Sequence, residues 1–314
     1  MINISLGSVY IPIKQILLTF INGEVDKESW KTIVLNYRLP KMITAILVGS
    51  GLSISGLLMQ TLFRNPLAGP FVLGISSGAS LGVAILILGA SFLGANITSY
   101  AFTNFGLAIA ASLGAFLVLS AVMLAAIKVR NTMSILIIGL MFGSLTSAVI
   151  SVLAYFSSAA ELQQYMFWSF GSLGNLSWNE IIALFSVFII GITLVTFIIK
   201  PLNSLLLGEN YAKSMGVNVK QTRNITLIAT SLLTGVITAF SGPIAFIGLA
   251  VPHLTKLLFS TSNHKTLLPA VAITGAIIML ICDSIAQLPN SEYTLPINAI
   301  TSLFGAPIII WLLV

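Results

Sequence analysis

Residues 42–63 read MITAILVGSGLSISGLLMQTLF and contain no charged residue, and the run ends abruptly at Arg64-Asn65-Pro66. A helix needs about 20 mostly apolar residues to cross the hydrocarbon core of a bilayer, so this stretch predicts a transmembrane helix. From Asn65 to Ile127 the chain again carries no charge and shows no sustained alternation of apolar and polar residues. A transmembrane β-barrel would show that alternation, so the sequence predicts an all-α membrane protein.

The composition extends this prediction to the whole chain. Of 314 residues, 57% are hydrophobic and only 7% are charged, and the mean hydropathy of +1.05 is far too apolar for a water-soluble domain. Further apolar runs predict spans at 71–93, 104–127, 133–156, 180–199, 225–241, 245–260, 266–287 and 296–314. We therefore expect residues 1–314 to form a single polytopic helical bundle of about nine spans.

The basic residues indicate which side of the membrane each connection occupies. With the N-terminus outside, residues 1–41 form an external segment, and the inner connections collect Arg64, Lys128, Arg130, Lys200, Lys213, Lys220, Arg223, Lys256 and Lys265. The net charge of +6 is dispersed among these connections rather than gathered in one patch. It therefore indicates membrane topology and not nucleic-acid binding.

Small residues recur at helical spacing inside the predicted bundle. Gly74, Gly78 and Gly82 follow one another every four residues, and Gly139 and Gly143 repeat the spacing. Residues four apart lie on one helix face, where small side chains let two membrane helices approach closely. We expect close helix packing at these positions ahead of a role in binding substrate.

Two interruptions of the apolar runs occupy corresponding places in the two halves of the chain, namely 65–70 (NPLAGP) and 241–243 (SGP). This pattern is typical of an inverted repeat whose broken helices lie beside a transport path. The candidate residues of the path and its helix breaks are Asn65, Pro66, Gly74, Gly78, Gly242 and Pro243.

Motifs for catalysis, cofactor binding or metal binding are not recognisable. His253 and His264 are too few and too isolated to form a metal site. The segment 208–214 resembles a phosphate-binding loop only in its Lys213-Ser214 ending, because Ala212 stands where the second glycine is needed. The chain is therefore predicted not to be an enzyme, and any ATP hydrolysis must occur on another polypeptide.

The longest polar connection, residues 201–224, reads as short helices separated by Gly208. It is too long for a minimal turn, which indicates contact with a partner on the inner face of the membrane. The alternative is a loop that merely connects two distant helices.

Asp283 is the acidic residue predicted to lie near a membrane-buried position. Such a residue needs a partner or a cavity, and a proton-coupled carrier would use one like it. With Gln287 one helical turn further on, a hydrogen-bonded structural role is the simpler interpretation.

Motifs along nearly the whole chain closely resemble those of the FecCD-type permeases. They are RLPK at 38–41, Gly56, Gln60, RNPLAGP at 64–70, LGISSGA at 73–79, WSFGSL at 168–173, MGV at 215–217, SGPIAFIGL at 241–249, Pro252-His253 and GAP at 305–307. The family comprises permease subunits of ABC importers for ferric siderophores, haem and vitamin B12.

The resemblance implies an inverted-repeat importer permease in the bacterial cytoplasmic, or inner, membrane. It implies pairing with a second permease copy or a paralogue, a pair of ATP-binding cassette ATPase subunits that use the ATP, and an extracytoplasmic substrate-binding protein. The cytoplasmic coupling loop would be 202–224, with contacts from Leu206, Leu207, Gly208, Ala212, Met215 and Gly216. Arg38 and Lys41 would dock acidic residues of the binding protein.

The chain departs from the family pattern in three places. Family members usually have ten spans, and the first of them is expected to be missing here. The family's Asp-x-x-x-Arg appears as Asp283 and Gln287, and its Glu-x-Pro-x-Gly ends in Asn298 instead of glycine. These changes alter one predicted docking contact and the outer gate.

Three functions compete on these residues. An importer permease for a siderophore or related iron or cobalt chelate is the main prediction. An ion-coupled secondary transporter would need no ATPase and would depend on Asp283. A membrane scaffold that transports nothing would leave the helix breaks and the polar loop without purpose.

Overall fold

The structure is a computed structural model that describes residues 2–7, 9–21, 23, 25–90, 103–127, 129, 132–287 and 293–313. The predicted break at 94–96, most of the break at 128–131 and most of the loop at 289–293 lie outside these residues. Among the described residues the regular structure is helical, apart from one isolated bridge between Gln287 and Thr294.

The α-helices of the described residues follow one another along the chain in short steps. They are α1 (Ile2–Ser5), α2 (Ile13–Phe20), α3 (Glu28–Ile33), α4 (Leu39–Phe63), α5 (Ile75–Ile87), α6 (Asn104–Ile127), α7 (Thr132–Phe156), α8 (Ala159–Ser169), α9 (Trp178–Phe197), α10 (Ile199–Leu206), α11 (Glu209–Ser214), α12 (Val219–Ser241), α13 (Ile247–Phe259), α14 (His264–Ala286) and α15 (Ile297–Leu313). A π-helical turn at Val34–Arg38 joins α3 to α4, and a 3-10 turn at Pro70–Leu73 precedes α5.

Every predicted span overlaps one of these helices, but the helices differ in length. In the described part of the chain, six segments are long and apolar enough to cross a membrane: Glu28–Phe63, Asn104–Ala125, Ser134–Phe156, Trp178–Phe197, Val219–Ser241 and His264–Ala286. Three apolar helices are shorter: Ile75–Ile87, Ile247–Phe259 and Ile297–Trp311.

The two shortest apolar helices, α5 and α13, follow the two predicted interruptions. Each has 13 residues, and at 1.5 Å per residue it extends about 20 Å, well short of a hydrocarbon core of about 30 Å. The chain before each is irregular or 3-10 helical and packs inside the bundle, which is where a membrane protein tolerates such backbone. Broken helices in both halves agree with the predicted inverted repeat.

Helix α4 forms the centre of the bundle, where it packs against α12, α13 and α14. Its most apolar window is 83% buried, compared with 17% for the corresponding window of α7. Gly56 permits the approach of α13, because a Cβ at that position would overlap the backbone of Gly248. The outer helices α6, α7 and α9 therefore present the surfaces left for lipid or partner subunits.

The glycine-spaced face of α5 packs closely on its neighbours, as the sequence predicts. A Cβ at Gly78 would lie 2.7 Å from the Gly114 carbonyl oxygen, and one at Gly82 would overlap Ala110 of α6. Gly139 is equally tight against Val72. Gly143 differs, because a Cβ there would meet only the Ser77 hydroxyl, at 3.5 Å.

Candidate functional site

The polar connection between α9 and α12 folds as the two short helices α10 and α11, separated at Gly208. Gly208 has φ +113, a conformation that L side chains rarely adopt, so glycine suits the bend. Leu205 and Ala212 are buried against the bundle. The predicted coupling contacts Leu206, Gly208 and Gly216 lie along the same segment.

Three apolar side chains of this segment project away from the bundle. Leu207, Tyr211 and Met215 are 64%, 50% and 58% exposed and are spaced four residues apart. Tyr211 lies in α11, and Leu207 and Met215 lie just before and just after it, so none belongs to a helix long enough to span lipid. Several exposed apolar side chains on one short segment outside the spans favour a protein contact.

A buried histidine fixes α10 to the transmembrane helices. The His264 Nδ1 atom lies 2.8 Å from the Asn203 Oδ1 atom, and its Nε2 atom lies 2.8 Å from the Thr61 hydroxyl. A neutral ring protonated on Nδ1 donates to Asn203, and its Nε2 atom can accept the single hydrogen of the Thr61 hydroxyl, for which the Leu57 carbonyl at 2.9 Å is the alternative acceptor. The Asn203 oxygen also accepts from the His264 backbone N–H, at 2.9 Å. His264 thus joins α10 to the end of α4 and the start of α14.

The interruption at 241–243 is held at the opposite end of the bundle. Gly242 ends α12 with φ +74, and a Cβ there would lie only 2.7 Å from the Trp168 carbonyl oxygen. The Ser172 backbone N–H donates to the Ser241 carbonyl at 3.0 Å. The predicted break at Gly242-Pro243 is therefore packed directly against the chain that follows α8.

Asn298, where the family has glycine, completes this junction. Its side-chain oxygen accepts from the Ala245 N–H at 3.1 Å, and its own N–H donates to the Phe170 carbonyl at 3.2 Å. Glycine could make the second hydrogen bond but not the first. The departure from the family pattern thus adds a link between α15 and the broken helix.

The second departure, Gln287, belongs to a polar network around Asp283. The Asp283 carboxylate accepts from Gln287 Nε2 at 2.7 Å and from Asn3 Nδ2 at 2.8 Å, and it pairs with Lys41 Nζ at 3.0 Å. Gln287 therefore still provides a donor to Asp283, although it lacks the charge of the family's arginine. This partnering favours the structural interpretation of Asp283.

Arg38 has a similar internal role. Its guanidinium donates to the carbonyls of Ile4 and Ser5 at 2.6 and 3.0 Å, and also to Val9, and its side chain is buried. Arg38 thus holds the N-terminal segment to the bundle directly, whereas Lys41 is linked to that segment through the Asp283 carboxylate, which accepts from Asn3. Docking of a binding protein by these two residues stays a prediction.

A shallow groove of about 650 Å³, with five serines in its lining, runs along the exposed side of α5 and α7. Its lining is Phe71, Ser76, Ser77, Ser80, Gly139, Leu140, Gly143, Ser144 and Ser147. The sequence did not indicate this surface, because α5 and α7 are apolar overall. In the structure, the serine side chains of the two helices lie on one surface. The predicted path residues Gly74 and Gly78 lie behind this surface, at the contacts of α5 with α7 and α6. Their role in the path stays a prediction.

Asn65 and Pro66 lie in the turn that follows α4. The Asn65 side-chain oxygen accepts from the Leu67 N–H at 2.9 Å, which closes the turn before Pro70 starts the next helical segment. No group of three or more His, Cys, Asp or Glu side chains that could hold a metal ion occurs among the described residues.

Comparison with known proteins agrees with this architecture. The sequence model of the FecCD transport family matches residues 1–314. The vitamin B12 import system permease protein BtuC of Salmonella typhi is 37% identical over 284 residues, which cover 89% of this chain and 83% of the relative. BtuC of Salmonella newport (strain SL254) matches to the same extent.

Two solved structures share the fold. An inward-facing ABC transporter described as being of the metal-chelate type has a TM-score of 0.82 and 29% sequence identity, with 96% of both chains covered. PsaBC from Streptococcus pneumoniae, solved in complex with Fab, has a TM-score of 0.58 at 17% identity over 94% of both chains, which supports the fold alone. The chain therefore belongs to the FecCD transport family. The predictions of an all-α membrane fold and of an ABC importer permease are confirmed.

Proposed function

We propose that this permease imports a metal chelate of the vitamin B12, ferric siderophore or haem class across the cytoplasmic membrane of a bacterium, driven by a separate ATPase. The observation that carries the proposal is the segment formed by α10 and α11. It is fixed to the bundle through His264, yet it presents Leu207, Tyr211 and Met215 uncovered. A simple connector would need neither feature.

The coupling step follows from this geometry. An ATP-binding cassette subunit seated on Leu207 and Met215 would push or pull α10 as it binds and hydrolyses ATP. Asn203 and His264 would pass that movement to α14, and the contact of His264 with Thr61 would pass it to α4. ATP itself is assigned to the partner, and no cofactor is assigned to this chain.

The path for the cargo is assigned to the serine-lined groove between α5 and α7. Hydroxyl groups gathered on an exposed helix surface suit water better than lipid, and a second copy of the permease or a paralogue would enclose the groove. The lining offers weak hydrogen bonds and no charged side chain. Such a surface suits a bulky chelate handed over by a binding protein, and the identity with permeases named for vitamin B12 import favours this class of cargo.

Docking of an extracytoplasmic binding protein is assigned to the surface organised by Arg38 and Lys41. Arg38 is buried and donates to the carbonyls of Ile4, Ser5 and Val9, so it would act mainly by holding these residues in place, whereas Lys41 is 20% exposed. If Arg38 acts in this way, docking of the binding protein depends on the shape of the N-terminal segment as well as on charge.

Isolation of the tagged chain from its native membranes in mild detergent, followed by mass spectrometry, tests the proposal. We expect an ATPase subunit to stay bound to the wild type and to the Leu207→Met variant, and to be lost from Leu207→Asp, which places a charge in the apolar contact. A single symmetric peak in size-exclusion chromatography shows that each variant is folded. Equal recovery of the ATPase by all three proteins would reject the assignment of the coupling segment.

A further inference from the structure

A second cavity, of about 350 Å³, lies between α6 and α12, and its lining shares no residue with the groove or with α11. Its lining is Ser120, Met123 and Leu124 of α6 and Lys220, Arg223, Asn224 and Leu227 of α12. The cavity thus has a polar side formed by the first turns of α12 and an apolar side formed mainly by the last turns of α6.

The polar side carries two positive charges without counter-ions. Lys220 and Arg223 are three residues apart on α12 and therefore share one helix face. Neither side chain makes a hydrogen bond or an ion pair with any residue in the described part of the chain. The cavity is therefore electrostatically suited to an anion.

The apolar side continues along the exposed surface of α6. Leu124, Leu117 and Leu113 are 67%, 67% and 58% exposed, and they lie at helical spacing along a segment apolar enough to span the membrane. Together they form a strip that leads from the cavity towards the middle of the span. The topology predicted from the sequence puts the cavity end of the strip at the inner membrane surface, where headgroups lie.

We propose that this cavity binds the phosphate headgroup of an anionic phospholipid, with one acyl chain along Leu117 and Leu113. An anionic phospholipid has a negative charge at one end and an apolar chain at the other. The site is cationic at one end and apolar along its length, so it complements both parts of the lipid. A water-soluble partner such as an ATPase subunit would not require the apolar strip to continue along the membrane span. The site is separate from the transport path and does not depend on the identity of the cargo.

Native mass spectrometry of the purified chain, titrated with phosphatidylglycerol or with phosphatidylcholine of the same acyl chains, measures the binding. Two cations at a membrane surface contribute about 1 kcal/mol each, so we expect phosphatidylglycerol to bind roughly 30-fold more tightly than phosphatidylcholine. The Lys220→Gln/Arg223→Gln variant should lose this preference. The Lys200→Gln/Lys265→Gln variant, which removes the same charge from exposed positions outside the cavity, should keep it.

Each other outcome overturns the proposal. Equal binding of the two lipids, or the same loss in both double variants, would mean that no specific site exists. Displacement of phosphatidylglycerol by millimolar inorganic phosphate would identify a free-anion site. A Lys220→Gln/Arg223→Gln variant that keeps the lipid preference but no longer retains the ATPase subunit would identify a protein-docking surface.

Discussion

Removal of the Asp283 carboxylate by the Asp283→Ala substitution should destabilise the fold by about 3 kcal/mol. The carboxylate is only 2% exposed and is paired with Lys41, and it accepts hydrogen bonds from Asn3 and Gln287 as well. The substitution would leave one cation and two amide donors without their shared acceptor.

The size of the effect follows from the exposure of the partners. Loss of one member of a buried ion pair costs about 3–5 kcal/mol, because the remaining charge stays desolvated. Lys41 is 20% exposed, so water can partly solvate its ammonium, and the lower end of that range applies. Replacement of both charged residues in Lys41→Met/Asp283→Leu should recover at least 1 kcal/mol, since no uncompensated charge remains.

Unfolding in mixed detergent micelles by titration with sodium dodecyl sulfate compares the single and double variants with the wild type. Both variants should bind the ATPase subunit normally, because the network lies at the opposite end of the bundle from α10. Asp283→Ala with wild-type stability, or a double variant no more stable than the single one, would refute the assigned role of the network.

The remaining predictions concern helix contact, coupling and the helix break. Gly56→Ala should lower the free energy of unfolding by about 2 kcal/mol or more, because its methyl group would overlap the backbone of α13. Gly235→Ala should be nearly neutral, because the nearest neighbour of its methyl group would be 3.9 Å away. Equal effects of the two substitutions in the same detergent titration would contradict this. His264→Leu should lower the amount of cargo moved per ATP hydrolysed several-fold, while the adjacent exposed substitution Lys265→Gln should not; an unchanged ratio would exclude a coupling role. Asn298→Gly, which restores the family residue, should lower the free energy of unfolding by about 1 kcal/mol, because it removes the hydrogen bond to the Ala245 N–H. Thermal denaturation that shows no loss of stability would count against this link.

The bundle could be predicted because hydropathy reports directly on the solvent around each helix. Hydropathy marks where the apolar part of a helix ends, however, and not where the helix itself ends. The helical segment that contains α4 starts at Glu28, far before the predicted span at Met42, because its charged first turns extend beyond the apolar region. Likewise, the predicted span 71–93 contains a helix only from Ile75, since the preceding 3-10 turn is as apolar as the helix itself.

The division of this connection into the short helices α10 and α11 was predictable, because Gly208 interrupts a polar stretch too long for a turn. The His264 junction was not, because its partners Thr61 and Asn203 are 203 and 61 residues away along the chain. A lone histidine in a sequence gives no sign of such partners. The internal role of Arg38 could not be predicted either. Its acceptors are backbone carbonyls, which every residue has, so the sequence does not show which residues accept.

Uptake into proteoliposomes that contain the co-purified complex tests the central claim most directly. Binding protein loaded with cobalamin, a ferric siderophore or haem would be supplied outside, with ATP enclosed and the proton gradient collapsed by an uncoupler. We expect uptake of one of these chelates that requires ATP and is unaffected by the uncoupler. Uptake without ATP that follows an imposed ion gradient and is abolished by Asp283→Asn would contradict the account.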